Sequence, residues 1–458
     1  MRTVPTIETP MFLQAAQWLF DPLNYLTANF KRYGDIFKTH GMLLGDNSPV
    51  VVISDPSAIQ YLLTHDSGKE LSAPGDAYEL MVPIVGRQNT PLASGNEHRR
   101  RRKLLMPPFH AERVKAYAQS IQQITQEALA QSLADKFVDV RKLMGKITMR
   151  MILQTVFGMH SGECYENLER LYTHRLDMIS TPWSSIFFYL PWIQNDFGSW
   201  SLGHSFHKLT KEIDQILFTN IQERRTHPNP DRSDILSLLL CAKDEDGHGL
   251  TDQDLRDELM ALMMGGYETT ATSLTWAIYW IYSLPDVKEK LLTELNTVAT
   301  QTDPTKFMSL PYLNAVCNEA MRLYPPLILT LPRRVEKPLE LCGYQLEPGT
   351  LIMGSIYLIH HREELYPQPH KFSPERFLER QFSNYEFLPF GGGVRRCIGA
   401  ALAHAEMRIA LGTILTQFDL SLINDRPIVP ARRGIGLAPS TSVQINIKNM
   451  QQIPAMCN

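Results

Sequence analysis

No two of the six cysteines, Cys164, Cys241, Cys317, Cys342, Cys397 and Cys457, form a C-x-x-C pair, and all are widely spaced. This excludes the disulfide framework of a small secreted domain and predicts a reducing, cytoplasmic setting. No run approaches the roughly 18 apolar residues of a membrane span, and the first residues lack the basic-then-apolar order of a secretion signal. Neither a transmembrane segment nor export is expected. No Gly/Ser- or Pro-rich linker divides the 458 residues, so one large, mostly helical unit over 1–458 is the simplest organisation. Charge of one sign is not in excess either. A formal net charge of -3 argues against nucleic-acid binding and makes any basic patch local.

What is present is a glycine-rich loop, Phe390-Gly391-Gly392-Gly393-Val394-Arg395-Arg396-Cys397-Ile398-Gly399, followed at once by an apolar helix, Ala400 to Phe418. It is not a phosphate loop: the sixth position of G-x-G-x-x-G is Arg396, and Gly-Lys-Ser/Thr is missing. Three glycines allow a tight bend and close approach to a flat ligand. A sulfur at Cys397 would receive loop N–H groups and the positive end of the helix dipole, and Arg395 and Arg396 are expected to lower its pKa and to pair with carboxylates of a cofactor. A buried structural cysteine in a turn is the competing reading. Phe390, Gly393, Arg395, Cys397 and Gly399 match Phe-x-x-Gly-x-Arg-x-Cys-x-Gly, which resembles the haem-binding signature of the cytochromes P450.

Upstream, the pattern predicts a helix over Asn24–Tyr33 and strands over Asp35–Thr39 and Pro49–Ser54, the latter around the β-branched Val50-Val51-Val52-Ile53. Leu71 to Gly95, broken by Pro74, Gly75, Pro83, Gly86 and Pro91, reads as an irregular loop. The run Gly95 to Lys103 is the strongest concentration of charge, and by itself suits a solvated helix face. His98 and Arg102 stand one turn apart on one face. This His-x-x-x-Arg pattern resembles the P450 helix that binds the haem propionates, which implies that the remaining cations border the cysteine side and receive an acidic electron donor. Trp183, Phe187, Phe188, Tyr189, Trp192, Phe197 and Trp200, with Pro182 and Pro191, form an aromatic concentration. A packed loop is the plain reading; the resemblance implies the lid of a substrate channel, with peripheral membrane contact open.

Thr251 with Asp254 predicts the N-cap of a helix that runs to about Ser283. Inside it lies Gly265-Gly266-Tyr267-Glu268-Thr269-Thr270. Paired glycines cost about 1 kcal/mol each in a helix, so either close packing or a groove for a small ligand must compensate. The resemblance implies that Glu268 and Thr269 conduct protons to dioxygen. Glu319 and Arg322, an ordinary i, i+3 pair in isolation, together with Arg376 in Pro374-Glu375-Arg376-Phe377 resemble the buried P450 network behind the haem loop. Arg334 becomes a candidate propionate partner, and the apolar Leu327 to Pro332 is expected to pass over the haem. Leu339 to Gln345 and Thr350 to Tyr357 are expected to pair as a hairpin through Glu347-Pro348-Gly349. His360 and His361 are read as structural, and strands are expected at Phe418–Leu422 and Val443–Ile447, with the loop around Gly434 to Leu437 dipping into the pocket.

Four separated motifs in family order imply a mainly α protein with a small β region, the P450 fold: a helical prism around one haem b (iron protoporphyrin IX) with Cys397 as axial thiolate. Thiolate ligation favours O–O cleavage. The implied activity is a monooxygenase that inserts one atom of O2 into a lipophilic fatty acid, alkane or terpenoid, using electrons from a ferredoxin or flavodoxin with its reductase. A P450-fold isomerase or dehydratase and a non-enzymatic haem sensor are the alternatives.

Overall fold

The computed structural model describes residues 2–40, 42, 49–181, 183–229, 231–298 and 303–450; Pro182 and Cys457 lie outside them. The helices that position the site are α1 (Met11–Phe20), α2 (Pro56–Thr64), α3 (Gly95–Leu105), α4 (Val140–Phe157), α5 (Glu163–Met178), α6 (Leu202–Thr226), α7 (Asp252–Ser283), α8 (Pro311–Leu323) and α9 (Ala400–Gln417).

Helix α7 is the axle. Its 32 residues span about 48 Å. A capping box starts it: Asp254 N–H donates to Thr251 Oγ1 at 3.1 Å, and Thr251 N–H donates to Asp254 Oδ2 at 2.9 Å. Apolar residues surround it on most sides, and α4, α6, α8 and α9 all pack against it. Leu255, Leu259, Leu274, Trp276 and Ile281 thereby share one core with Leu153, Leu217, Leu313 and Leu411. A helix that is apolar nearly all round is a buried helix. Among the described residues, no helix is long and apolar enough to cross a membrane.

A five-stranded sheet flanks this bundle: β1 (Ile36–Thr39), β2 (Val50–Ile53), β3 (Leu71–Ser72), β4 (Arg333–Val335) and β5 (Leu351–Gly354), in the spatial order β1-β2-β5-β4-β3. β2 and β5 are parallel and the other pairs antiparallel. Every residue of β2 is buried, which explains its unbroken β-branched run. Helix α2 covers the sheet through Ile59 and Leu62.

The hairpin expected between 339–345 and 350–357 does not form. Leu339–Leu341 instead pairs with Tyr344–Leu346 around Cys342 and Gly343, which both have positive φ, 53° and 76°. Such a two-residue turn matches the twist of the strands and closes the hairpin early. That frees the apolar β5 to enter the large sheet between β2 and β4, and Tyr357 falls in the short helix Ile356–His360. Near the C-terminus Phe418–Leu422 pairs antiparallel with Gln444–Met450. Between them β6 (Pro430–Arg433) and β7 (Gly436–Pro439) form a hairpin whose tip is held by Gly434 N–H to Ser180 O at 3.1 Å, while Leu437 N–H reaches Pro326 O at 2.9 Å.

On α9, burial alone pushes the Glu406 carboxyl up to about 8 from 4.5. A folded pKa above the unfolded one leaves stability intact below about pH 4.5 and erodes it as the pH rises towards about 8. Glu406→Gln should therefore gain on the parent protein across that window, by on the order of a few kcal/mol at its upper end. Urea unfolding at a series of pH values measures the gap; a gap independent of pH would show that the carboxyl ionises freely in the fold.

Candidate active site

The glycine loop meets α9 in a reverse turn: Cys397 N–H donates to Phe390 O at 3.0 Å and Arg396 N–H to Gly393 O at 3.2 Å. The half-buried Phe390 ring lies 4.9 Å from that of His404, whose pKa burial, Arg408 and Arg396 depress to about 4. Gly393 has φ +64°, and a Cβ on it would stand 2.2 Å from Asp66 Oδ2 and 2.7 Å from Leu63 O. A Cβ on Gly392 would lie 2.6 Å from Leu63 Cδ1. Gly392 and Gly393 thus let the loop press against the end of α2. Gly399 differs, because a Cβ there would meet nothing within 4 Å.

The Cys397 side chain is exposed, yet burial raises its thiol pKa. A sulfur that is both exposed and walled in faces a space inside the molecule. The expected lowering of the pKa is overturned: the Gly399 N–H, Arg102 and Arg396 pull it down, but burial weighs more.

Around this thiol the charges do not balance. Helix α3 turns His98 and Arg102 inward. Burial, then Arg395, Arg102, Arg333 and Arg99, hold the His98 imidazole at about 4, hence neutral and able to donate one N–H. Arg102 has no hydrogen-bond or ion-pair partner among the described residues, and burial lowers its pKa. Among the described residues, Arg395 donates only to the carbonyls of Ala73, Thr90, Pro91 and Ala93, at 2.6 to 3.0 Å, and its Nε is buried without a partner. Buried cations without carboxylates are costly unless an anion completes them. A cofactor bearing carboxylates and a thiolate-seeking iron fits this donor set.

Arg334, expected to reach that cofactor, lies at the partly exposed edge of the site. It pairs with Asp76 at 2.9 Å and lines, with His98 and Arg99, a cavity of about 360 Å³. Its neighbour Arg333 is the buried one: it donates to Asp66 at 2.9 Å and to Gly392 O at 3.0 Å, tying the glycine loop down. Strand alternation points adjacent side chains to opposite faces, a signal that only the strand's placement could orient. The rest of the basic run is also largely spoken for. Arg100 pairs with Asp244 at 2.5 Å, Lys103 with Glu245 at 2.5 Å, and buried Arg101 with Asp254 at 2.6 Å. Of the cations expected to remain for a donor, Arg99 and Lys103 stay exposed, Lys103 in its surface pair, joined by Arg396.

On α7 the two glycines separate in role. A Cβ on Gly266 would lie 2.9 Å from Ile152 Cδ1, so this residue permits close packing on α4. Gly265 is exposed in mid-helix with nothing within 4 Å of such a Cβ. Thr269, one turn on, bonds Gly265 O through Oγ1 at 2.6 Å. Glu268 is drawn aside: Arg433 Nε approaches its Oε1 at 2.5 Å and Arg141 Nη1 at 3.3 Å. Nothing in the sequence pattern marks Arg433 or Arg141.

Behind the loop, Glu319 and Arg322 are fully buried and paired twice, at 2.6 and 2.8 Å. Arg376 Nε adds a bond to Glu319 at 3.1 Å, and Arg322 Nη1 donates to His360 O at 2.7 Å. His360 passes the connection on, since its Nε2 accepts from Leu388 N at 3.0 Å, next to the start of the haem-type loop. Arg322→Leu leaves the buried Glu319 charge with Arg376 and the Ser373 N–H and should cost about 3–5 kcal/mol in urea unfolding. Gly393→Ala, strained by its positive φ and blocked by the backbone of Leu63, should cost about 2 kcal/mol or more in the same assay. Wild-type midpoints for both would show that the loop is not anchored here.

Residues 5–446 match the family model for cytochrome P450. The chain is 31% identical over 444 residues to the Mycobacterium bovis protein with the designation cytochrome P450 135B1, covering 97% of this chain and 91% of that one. Cytochrome P450 137 of Mycobacterium tuberculosis is 30% identical over 419 residues, 91% of this chain and 84% of that one. The retinoic acid-bound structure of cyanobacterial CYP120A1 superimposes with a TM-score of 0.84 at 22% identity, covering 98% of this chain and all of that one, a likeness of fold. With the walled thiol, the unpaired cations and a match over nearly its whole length, the chain belongs to the cytochrome P450 family of haem-thiolate monooxygenases.

Proposed function

We propose that Cys397 is the axial thiolate and that His98, Arg102 and Arg395 hold the carboxylates of the haem, with Arg334 at the rim. The observation that carries this is the pairing of half-buried Arg102 with buried Arg395, both without a carboxylate among the described residues, around a thiol facing an internal space. When bound, the haem supplies dioxygen activation and the oxidising power. The chain supplies the rest. Phe390, Gly393 and Gly399 shape the loop, and Glu319, Arg322 and Arg376 stiffen it. Gly265 leaves room on α7 beside Thr269, whose hydroxyl holds a proton on the Gly265 carbonyl and can pass it inward; Glu268 carries protons from the Arg141 and Arg433 side.

The substrate is proposed to be lipophilic: a fatty acid, alkane or terpenoid. The aromatic segment after α5 supports this, with Phe187 and Phe188 buried while Trp183, Trp192, Phe197 and Trp200 are exposed. Trp183 also packs 4.7 Å from Phe20 of α1, whose Phe12 is exposed, so one apolar surface joins the two elements and suits peripheral membrane contact by a cytoplasmic enzyme. Electrons are proposed to come from a ferredoxin or flavodoxin with its reductase, approaching the exposed Arg99 and Arg396.

The deciding experiment is the carbon-monoxide difference spectrum of the reduced protein. A red-shifted thiolate-type Soret band, lost in Cys397→Ser, is expected; a histidine-type band in folded protein would reject the assignment. With a reductase system and a fatty-acid or terpenoid substrate, Thr269→Ala should divert electrons several-fold from product to hydrogen peroxide, and unchanged coupling would remove Thr269 from the proton route. Product formed without any electron donor would instead mark an isomerase or dehydratase. Trp183→Ser with Trp200→Ser should lower co-sedimentation with phosphatidylcholine vesicles, and equal sedimentation would leave the aromatic surface without a lipid role.

A further inference from the structure

Four charged side chains from four separate elements, Glu268 among them, close a ring. Arg433, at the end of β6, reaches Glu268 Oε1 with Nε at 2.5 Å and Asp177 Oδ1 with Nη2 at 2.5 Å. Arg141 of α4 completes the circuit, 3.3 Å from Glu268 and 3.9 Å from the same Asp177 oxygen. Two cations face two anions, so the ring is neutral. Its outer member, Asp177, is 49% exposed and lies in the last turn of α5, while the other three are 16% to 26% exposed.

A guanidinium is planar and rigid, so two carboxylates bonded to different nitrogens of one Arg are held at a fixed separation. Arg433 thus links Glu268 on α7 to the end of α5. The β6–β7 hairpin that carries Arg433 has its own tie to the same region, because Gly434 N–H donates to Ser180 O at 3.1 Å just beyond α5. The aromatic segment begins three residues after Ser180 with the exposed Trp183. Both ties thus run from the chain just before that segment to the strand end that carries Arg433.

We propose that Arg433 is a positioning residue that clamps Glu268 to the end of α5, so that displacement of the aromatic segment by an entering apolar substrate unclamps the carboxylate. Held by two cations, Glu268 is kept aside from Thr269; released from Arg433, it keeps only the longer contact to Arg141 and gains freedom to turn towards the open stretch at Gly265. Proton delivery is thereby tied to occupancy of the pocket. This rests on Glu268 being a proton carrier, as proposed above, but the clamp itself is a mechanical claim that can fail or stand separately.

The test is amide hydrogen exchange on the substrate-free holoenzyme, with product and peroxide yields measured alongside. Arg433→Gln should speed exchange at Ile179, Ser180 and Gly434 by roughly tenfold, since local opening governs these amides. Arg433→Lys, which keeps the charge and loses the fork, should speed it equally. Asp177→Asn, at the exposed corner of the ring, should do the same should Arg433→Gln fail to retain haem. Glu268→Gln should leave these amides near wild-type rates, because the Arg433–Asp177 contact survives, while shifting electrons from product to peroxide. Unchanged exchange in both Arg433→Gln and Asp177→Asn, or full rescue by lysine, overturns the clamp. Accelerated exchange in the Arg433 and Asp177 variants, together with unaltered yields in Glu268→Gln, supports the clamp and removes Glu268 from the proton route.

Discussion

Everything at the site depends on one buried carboxylate. Glu319 is fully enclosed, and its charge is tolerable only because Arg322 pairs with it twice and Arg376 and the Ser373 N–H complete it. Such an assembly is expensive to make and more expensive to break, so it fixes relative positions more than it adds stability. Through Arg322 it grips the His360 carbonyl, and through His360 it grips Leu388. The glycine loop therefore starts from a rigid point. Its other side is pinned by Arg333 and Asp66, which bond Gly392 O and Val394 N. Between these two anchors the thiol of Cys397 is presented without a bond of its own to a charged group.

The distribution of paired and unpaired charge separates scaffold from site. Arg101, Arg224, Arg256, Arg322 and Arg333 are all buried and all have carboxylate partners. Half-buried Arg102 and buried Arg395 have none among the described residues, and they stand with His98 next to Cys397. Arg175 of α5 is also fully buried, with hydrogen bonds to Thr210 Oγ1 and Ile84 O and no carboxylate among the described residues, so what an anionic cofactor requires is the gathering of Arg102, Arg395 and His98 beside one thiol. On α7 the same economy appears in the glycines: Gly266 lets α4 come close, and Gly265 leaves the space that a side chain would fill.

Much of this was legible in the sequence because its signals are local. The capping box at Thr251, the β-branched run of β2 and the helical spacing of His98 and Arg102 are read within a few residues, and the structure contains each. The pairing of strands 339–357 was misread because a sequence run tells that a strand forms, and its partner is set by burial elsewhere. A tight Cys342-Gly343 turn and the apolar slot between β2 and β4 decided the outcome.

By itself the sequence determined the helical fold class, the loop that carries Cys397 and the identity of the motif residues, since backbone propensity and periodicity act over one or two turns. Only the tertiary structure decided which of two adjacent arginines, Arg333 or Arg334, turns inward. It also decided that Asp244 and Glu245, more than 140 positions away, take up Arg100 and Lys103. The Glu268–Arg433–Asp177–Arg141 ring belongs to the same class. Long-range charge pairing depends on where elements dock, and the raised pKa of Cys397 on how much protein surrounds it. Neither quantity is a property of any short stretch of chain.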